Sequence, residues 1–165
     1  MSKTKKLTSL ALMCTLAMIL SYVESLIPAP IAVPGAKIGL ANLVTVFALY
    51  KLGVREAVTV SITRIILISL LFGTPVSMAY SIGGAIMSLA SMILLRKLTP
   101  LTTVSVSIVG GIMHNVGQLT VASFVLETDV LTYYLPFLAL FGIISGAMIG
   151  VLGGLLIKKL KINFK

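Results

Sequence analysis

Apolar residues in this chain come in long runs, not in the alternating or one-faced patterns of a half-buried soluble surface. The first run goes from Leu7 to Ile27, the second from Lys37 to Tyr50 and the third from Val54 to Phe72. The fourth goes from Pro75 to Leu95, the fifth from Leu101 to Leu126 and the sixth from Leu131 to Ile157. A helix needs about 20 residues to cross a ~30 Å hydrocarbon core, where its backbone must bond to itself. The runs therefore predict an all-α membrane protein with six transmembrane helices in one integral domain over residues 1–165. The second run is short, and spans only by starting in the segment before it or where neighbours thin the slab. The first run is about as long as a full span and no A-x-A-like site follows it, so it is read as a helix and not as a cleaved signal peptide.

Segment 25–36 carries Pro28, Pro30 and Pro34 and cannot continue a helix. It is the longest outer loop, apolar enough to fold over a cavity as a lid. A rigid linker at the membrane surface is the equal alternative. The sixth run holds Gly142, Gly146, Gly150 and Gly154, spaced by four, which leaves one helix face bare for close packing. Gly83, Gly84, Gly110 and Gly111 suggest close crossings of the fourth and fifth helices.

Composition agrees with the pattern. Apolar residues make up 58% of the 165 and charged residues 10%, against roughly 25% charged in a soluble domain. Disorder is excluded by the same figures. A disulfide framework is excluded by the single cysteine, Cys14.

The net charge of +9 invites a nucleic-acid reading, but its distribution argues otherwise. Lys and Arg fall in short clusters between the runs: Lys3, Lys5 and Lys6; Lys51 and Arg55; Arg96 and Lys97; Lys158, Lys159, Lys161 and Lys165. With the N-terminus inside, eleven of the thirteen basic residues lie on the cytoplasmic side. Both termini are then cytoplasmic, and the expected location is a prokaryotic cell membrane, with the lipid bilayer as partner and no nucleic acid.

An ionisable residue inside a span costs roughly 2.5–3.5 kcal/mol or more at its centre and so stands as a functional candidate. Arg64 lies nine residues from Arg55, and Asn42 nine from Lys51. Both are therefore ~14 Å deep, near the midplane. His114 is in the outer half, with Gln118 one turn above it and Lys37 at a similar height. Polar groups thus run from the midplane outward while the inner halves stay apolar, the profile of a pocket open outside and closed beneath. Each group has a plainer role available: Arg64 snorkelling or pairing with Glu24, His114 as an interhelical hydrogen bonder, Asn42 and Gln118 as helix glue. Together they suggest a site in which Arg64 meets a ligand's anion.

Catalytic signatures are absent from the sequence. There is no G-x-x-x-x-G-K-[ST] loop for ATP. Metal-dependent prenyl transfer needs clustered aspartates, and the chain has only Asp129. One His and one Cys do not make a zinc site. The expectation is no enzyme, no metal and no cofactor in this chain.

Several segments carry a family likeness. They are Pro34-Gly35-Ala36-Lys37-Ile38-Gly39-Leu40-Ala41-Asn42, Arg64 with Leu71-Phe72-Gly73, Ser81-x-Gly83-Gly84, His114-Asn115-x-Gly117-Gln118, and Tyr133-Tyr134-Leu135-Pro136. Through these, from about residue 7 to 158, the chain resembles the Gx transporter family, also called heptaprenyl diphosphate synthase component I. That family is similar to the substrate-binding S components of energy-coupling factor (ECF) importers. The resemblance implies an S-component-like six-helix bundle that captures a small solute from outside, driven by an ECF coupling membrane subunit and two ATPase subunits. The implied substrate-binding residues are Lys37, Asn42, Arg64, His114, Asn115 and Gln118. In such importers an Ala-x-x-x-Ala pattern on helix one docks the coupling subunit; here the nearest match is Ala11-x-x-x-Thr15. The cationic groups and the lack of Trp favour an anionic solute over a flat vitamin in an aromatic cage. The family's second name implies the alternative, a membrane accessory of a polyprenyl diphosphate synthase. A self-sufficient permease or channel is the third reading.

Overall fold

The computed structural model describes residues 3–26, 39–128 and 130–160. These form α1 (Lys3–Leu26), α2 (Leu40–Lys51), α3 (Val54–Phe72), α4 (Pro75–Leu98), α5 (Thr103–Leu126), a 3-10 turn (Val130–Tyr134) and α6 (Leu135–Lys159). Among the described residues there is no strand. Each run of the sequence thus becomes one helix. Helix α1 starts four residues before the expected start of its run, and α4 continues three residues past the expected end of its own. The sixth run differs at its start: Val130–Tyr134 is a 3-10 turn, and the α-helix begins at Leu135. Pro136 stands in the first turn of α6, where its missing N–H has no helical acceptor to lose.

Local chemistry explains the boundaries. Gly39 precedes α2 at φ 81° and Gly53 precedes α3 at φ 133°, backbone conformations that L side chains rarely adopt. Gly53 and Leu52 thereby turn the chain from α2 into α3 in two residues. At α4, Thr74 Oγ1 accepts from the Ser77 N–H at 3.1 Å and Ser77 Oγ accepts from the Thr74 N–H at 2.9 Å, a reciprocal cap. Thr102 caps α5 by accepting from the Ser105 N–H.

Four segments are long and apolar enough to cross a membrane: Lys3–Leu26, Pro75–Leu98, Thr103–Leu126 and Thr132–Lys159. Helix α2 falls short on length, its 12 residues covering ~18 Å. Helix α3 has 19 residues, but they include Arg55, Glu56 and Arg64. Many large apolar side chains face outward, among them Leu7, Leu70, Ile86, Phe124 and Ile144. In water so much exposed apolar surface would drive association; against lipid it is the ordinary outer face.

The helices form two groups of three. Helix α1 packs on α2 and α3, while α5 packs on α4 and α6. Contacts of α2 with α6 and of α3 with α4 close the ring. Between α5 and α6 the backbones nearly touch. A Cβ on Gly146 would stand 2.6 Å from Ser107 O and one on Gly150 2.6 Å from Val104 Cα. Gly142 meets Gly111 and Ile112 in the same way. Gly154 does not share this tightness: its nearest neighbour, Thr103 Cβ, lies 4.0 Å from an added Cβ. The next residue back, Gly153, faces Val46 and Leu43 of α2 instead. The stripe is therefore tight over three glycines and slackens at the fourth.

One end of the bundle gathers the basic clusters. There Lys6 of α1 pairs with the buried Glu56 of α3. Arg96 of α4 donates to the Leu49 carbonyl of α2 and lies over the Tyr50 ring, 4.8 Å from its centroid. Beneath the middle of the bundle, Val46, Leu49, Leu89, Met92, Val106 and Ile149 form an apolar plug.

Candidate functional site

A cavity of about 280 Å³ lies between the two helix triplets. Its mouth is built by the C-terminal ends of α1 and α3 and the N-terminal ends of α2 and α4, all opposite the basic clusters. Tyr22, Glu24, Asn42, Phe72 and Ser77 line this part. The cavity continues inward past Arg64, His114, Asn115 and Gln118 to a floor of Ser88, Ser107, Gly110, Gly111 and Gly146, where Val46, Met92 and Ile149 of the apolar plug also line it. The apolar plug then closes it.

Arg64 is the central cation. It projects from α3, and its guanidinium joins α1 and α2. Nη1 donates to Ser21 Oγ at 3.2 Å and Nη2 to Asn42 Oδ1 at 3.4 Å. Both acceptors are neutral; the bond to Ser21 is at the long end of the normal range and the one to Asn42 lies beyond it. Nε is buried and has no hydrogen-bond partner. Among the described residues Arg64 forms no ion pair. Glu24 is the acidic group that acts on it electrostatically. The Glu24 carboxylate itself accepts from the Gly39 N–H at the start of α2. A guanidinium bonded only to neutral oxygens, with its Nε–H among the donors left over, can still take a bidentate anion.

Five of the six sequence-proposed binding residues are brought to this cavity: Asn42, Arg64, His114, Asn115 and Gln118. The sixth, Lys37, lies outside the described residues, as does nearly all of the 25–36 segment. Ser25 and Leu26 of that segment still belong to α1. His114 and Gln118 both press on Gly84 of α4, where an added Cβ would lie 2.9 Å from His114 Cε1 and 2.8 Å from Gln118 Cγ. A bare Gly84 is what lets these two long polar side chains sit between α4 and α5. Asn115 has a structural duty as well: its Nδ2 donates to the Leu138 carbonyl of α6 at 2.7 Å.

Ala11 and Thr15 lie elsewhere, both exposed on the outer face of α1. Thr15 Oγ1 donates back to the Ala11 carbonyl at 2.9 Å. The face of α1 turned into the bundle is instead marked by Met13 and Ala17.

The sequence reading passed over the serines. Ser21 supports Arg64, and Ser88 and Ser107 make the floor. Serine is common in membrane helices and often bonds back to its own backbone, so its presence alone signals little. Ser107 stands out among those lining the cavity: it is 4% exposed and its hydroxyl has no partner, a state it shares with Ser123, which does not line the cavity.

Residues 13–156 match the model of a family described as heptaprenyl diphosphate synthase component I. The chain belongs to that family, in agreement with the second family name that the sequence suggested. No curated protein and no solved structure matches the chain.

Proposed function

We propose that this chain is the membrane-embedded, non-catalytic component of a heptaprenyl-type diphosphate synthase, and that its cavity holds a small anionic ligand at Arg64. The observation that carries the synthase reading is family membership across residues 13–156. The cavity supplies its chemical content. Arg64 offers an unfilled Nε–H inside a low-dielectric bundle, where a charge-assisted bond to a carboxylate or phosphate is strong. Asn42, His114 and Gln118 add hydrogen-bonding groups around it. The prenyl transfer itself needs metal-binding carboxylates that this sequence does not cluster, so we assign it to a separate subunit.

In this proposal all six helices cross the cell membrane, α2 and α3 among them, with both termini in the cytoplasm. Arg64 is then tolerated because it faces the cavity and not lipid. A second reading is favoured by one observation, the placement of the cavity mouth opposite the basic end. By the positive-inside rule the mouth then faces outward, as in the solute-capturing subunit of an ECF importer. In that case Ala11 and Thr15 on the outer face of α1 meet the coupling subunit, and two ATPase subunits supply the energy.

Mild-detergent capture of the full-length protein from its native membrane, followed by mass spectrometry, separates the readings. A co-purifying polyprenyl synthase subunit is expected. A membrane coupling subunit with two ATPases, and no synthase, would overturn the synthase reading in favour of import. The anion site is tested separately with Arg64→Ala, which should lose binding of the copurifying ligand while the protein stays monodisperse.

A further inference from the structure

The floor of the cavity carries more information about the ligand than its mouth does. An isoprenoid tail would be best served by an apolar floor. The floor here is not apolar throughout: Val46, Met92 and Ile149 of the plug reach it, but so do Ser88, Ser107 and the glycines Gly110, Gly111 and Gly146. The glycines alone are accounted for by helix packing. Ser107 is not: the residue lines the cavity, and its hydroxyl is buried with no hydrogen-bond partner. Its own helix offers it the usual bond back to a carbonyl one turn earlier, and it does not make that bond. A hydroxyl left so is costly, because it has given up water and gained nothing. Ser88, also buried, lines the same floor from α4.

Among the described residues that line the cavity, two carry unsatisfied donors, Arg64 Nε on α3 and Ser107 Oγ on α5. One is cationic and the other neutral. The cavity volume, about 280 Å³, lies at the lower limit for small-molecule sites of roughly 300–1,000 Å³. A full heptaprenyl chain is far too large for it.

We propose that the Ser88–Ser107 floor is a second recognition point, and that the ligand is a small organic anion carrying an uncharged hydroxyl or carbonyl at the end remote from its charge. The anionic group sits on Arg64 and the neutral oxygen reaches Ser107. This rests on the Arg64 anion site of the proposed function and narrows its ligand class. A prenyl tail is disfavoured because it would bury the Ser107 hydroxyl without a partner.

The test uses the full-length protein in lipid nanodiscs and isothermal titration. The probes are propionate, butyrate, pentanoate and hexanoate, each compared with the same acid carrying a terminal hydroxyl. At one chain length the hydroxyl should raise affinity about fivefold, the worth of one net hydrogen bond. The length at which this occurs reads the separation of the two points. In Ser107→Ala the hydroxy acid should fall to the affinity of its unsubstituted parent, and in Arg64→Gln both should be lost. No hydroxyl gain at any length, or a gain that survives Ser107→Ala, refutes the floor site while leaving Arg64 as the anchor. Binding that ignores Arg64→Gln refutes the anchor instead. Failure of every probe to bind the wild-type protein refutes the proposed ligand class. Size-exclusion profiles of both variants show whether a loss is one of binding or of folding.

Discussion

Alanine at Gly146 should leave the protein less stable than alanine at Gly154, although the two glycines stand on one stripe of one helix. At Gly146 the new Cβ would lie 2.6 Å from Ser107 O and 2.7 Å from Ile108 Cα. Both are backbone atoms that no rotamer change can move. Ordinary contact begins near 3.4 Å, so α5 and α6 must separate by about 0.8 Å. Forcing one extra methyl into a closed contact costs about 1–3 kcal/mol. At Gly154 the nearest atom is 4.0 Å away and the methyl is accepted. Both variants gain the same helix propensity, about 1 kcal/mol. That gain cancels in the comparison and leaves the steric cost alone. Gly146→Ala should thus be about 1–3 kcal/mol less stable than Gly154→Ala, a difference in Tm on the order of 5 °C. Thermal unfolding of both variants in one detergent, followed by intrinsic tyrosine fluorescence and circular dichroism, measures it. Equal melting, or a higher Tm for Gly146→Ala, would refute the close approach of α5 and α6. Gly146 also lines the cavity floor, so its alanine variant should bind anions more weakly than Gly154→Ala does.

Asn115→Leu removes the bond to the Leu138 carbonyl and should lower stability by about 1 kcal/mol, read by the same melting experiment. Thr74→Ala loses half of the reciprocal cap on α4 and should cost about 1 kcal/mol, with faster amide exchange in the first turn of α4 as its local signature. Lys6→Ala breaks the pair with Glu56; because Lys6 is half exposed the loss should stay within about 1 kcal/mol and should shrink as salt is added.

The helices were legible because a membrane leaves the backbone few choices. Six apolar runs separated by basic or turn residues became six helices, and the starts of α3 and α4 and the end of α5 coincide with the ends of their runs. The start of α6 was less legible, since apolar content does not distinguish a 3-10 turn at Val130–Tyr134 from the helix that follows. That Arg64 and Asn42 share a depth was legible from their spacing to the basic ends of their runs; that the guanidinium donates to the amide was not, because depth does not fix how two helices are rotated against each other. The orphaned Ser107 hydroxyl was not, because a serine looks the same in sequence whether its hydroxyl bonds its own helix or faces a cavity.

The sequence by itself determined the membrane-like character, the helical class and the separation of a basic end from a polar one. These depend on composition and on spacing along the chain, which are local quantities. Only the tertiary structure decided which glycines are tight, that Asn115 is engaged with α6, and that Arg64 meets Ser21 as well as Asn42. Those outcomes depend on how α1 to α6 are rotated and offset against one another. Gly146 and Gly154 show the reason most plainly: the same residue on the same helical face meets backbone at one level and only an ordinary contact with Thr103 Cβ two turns on, because α5 begins at Thr103 and Gly154 lies level with that end.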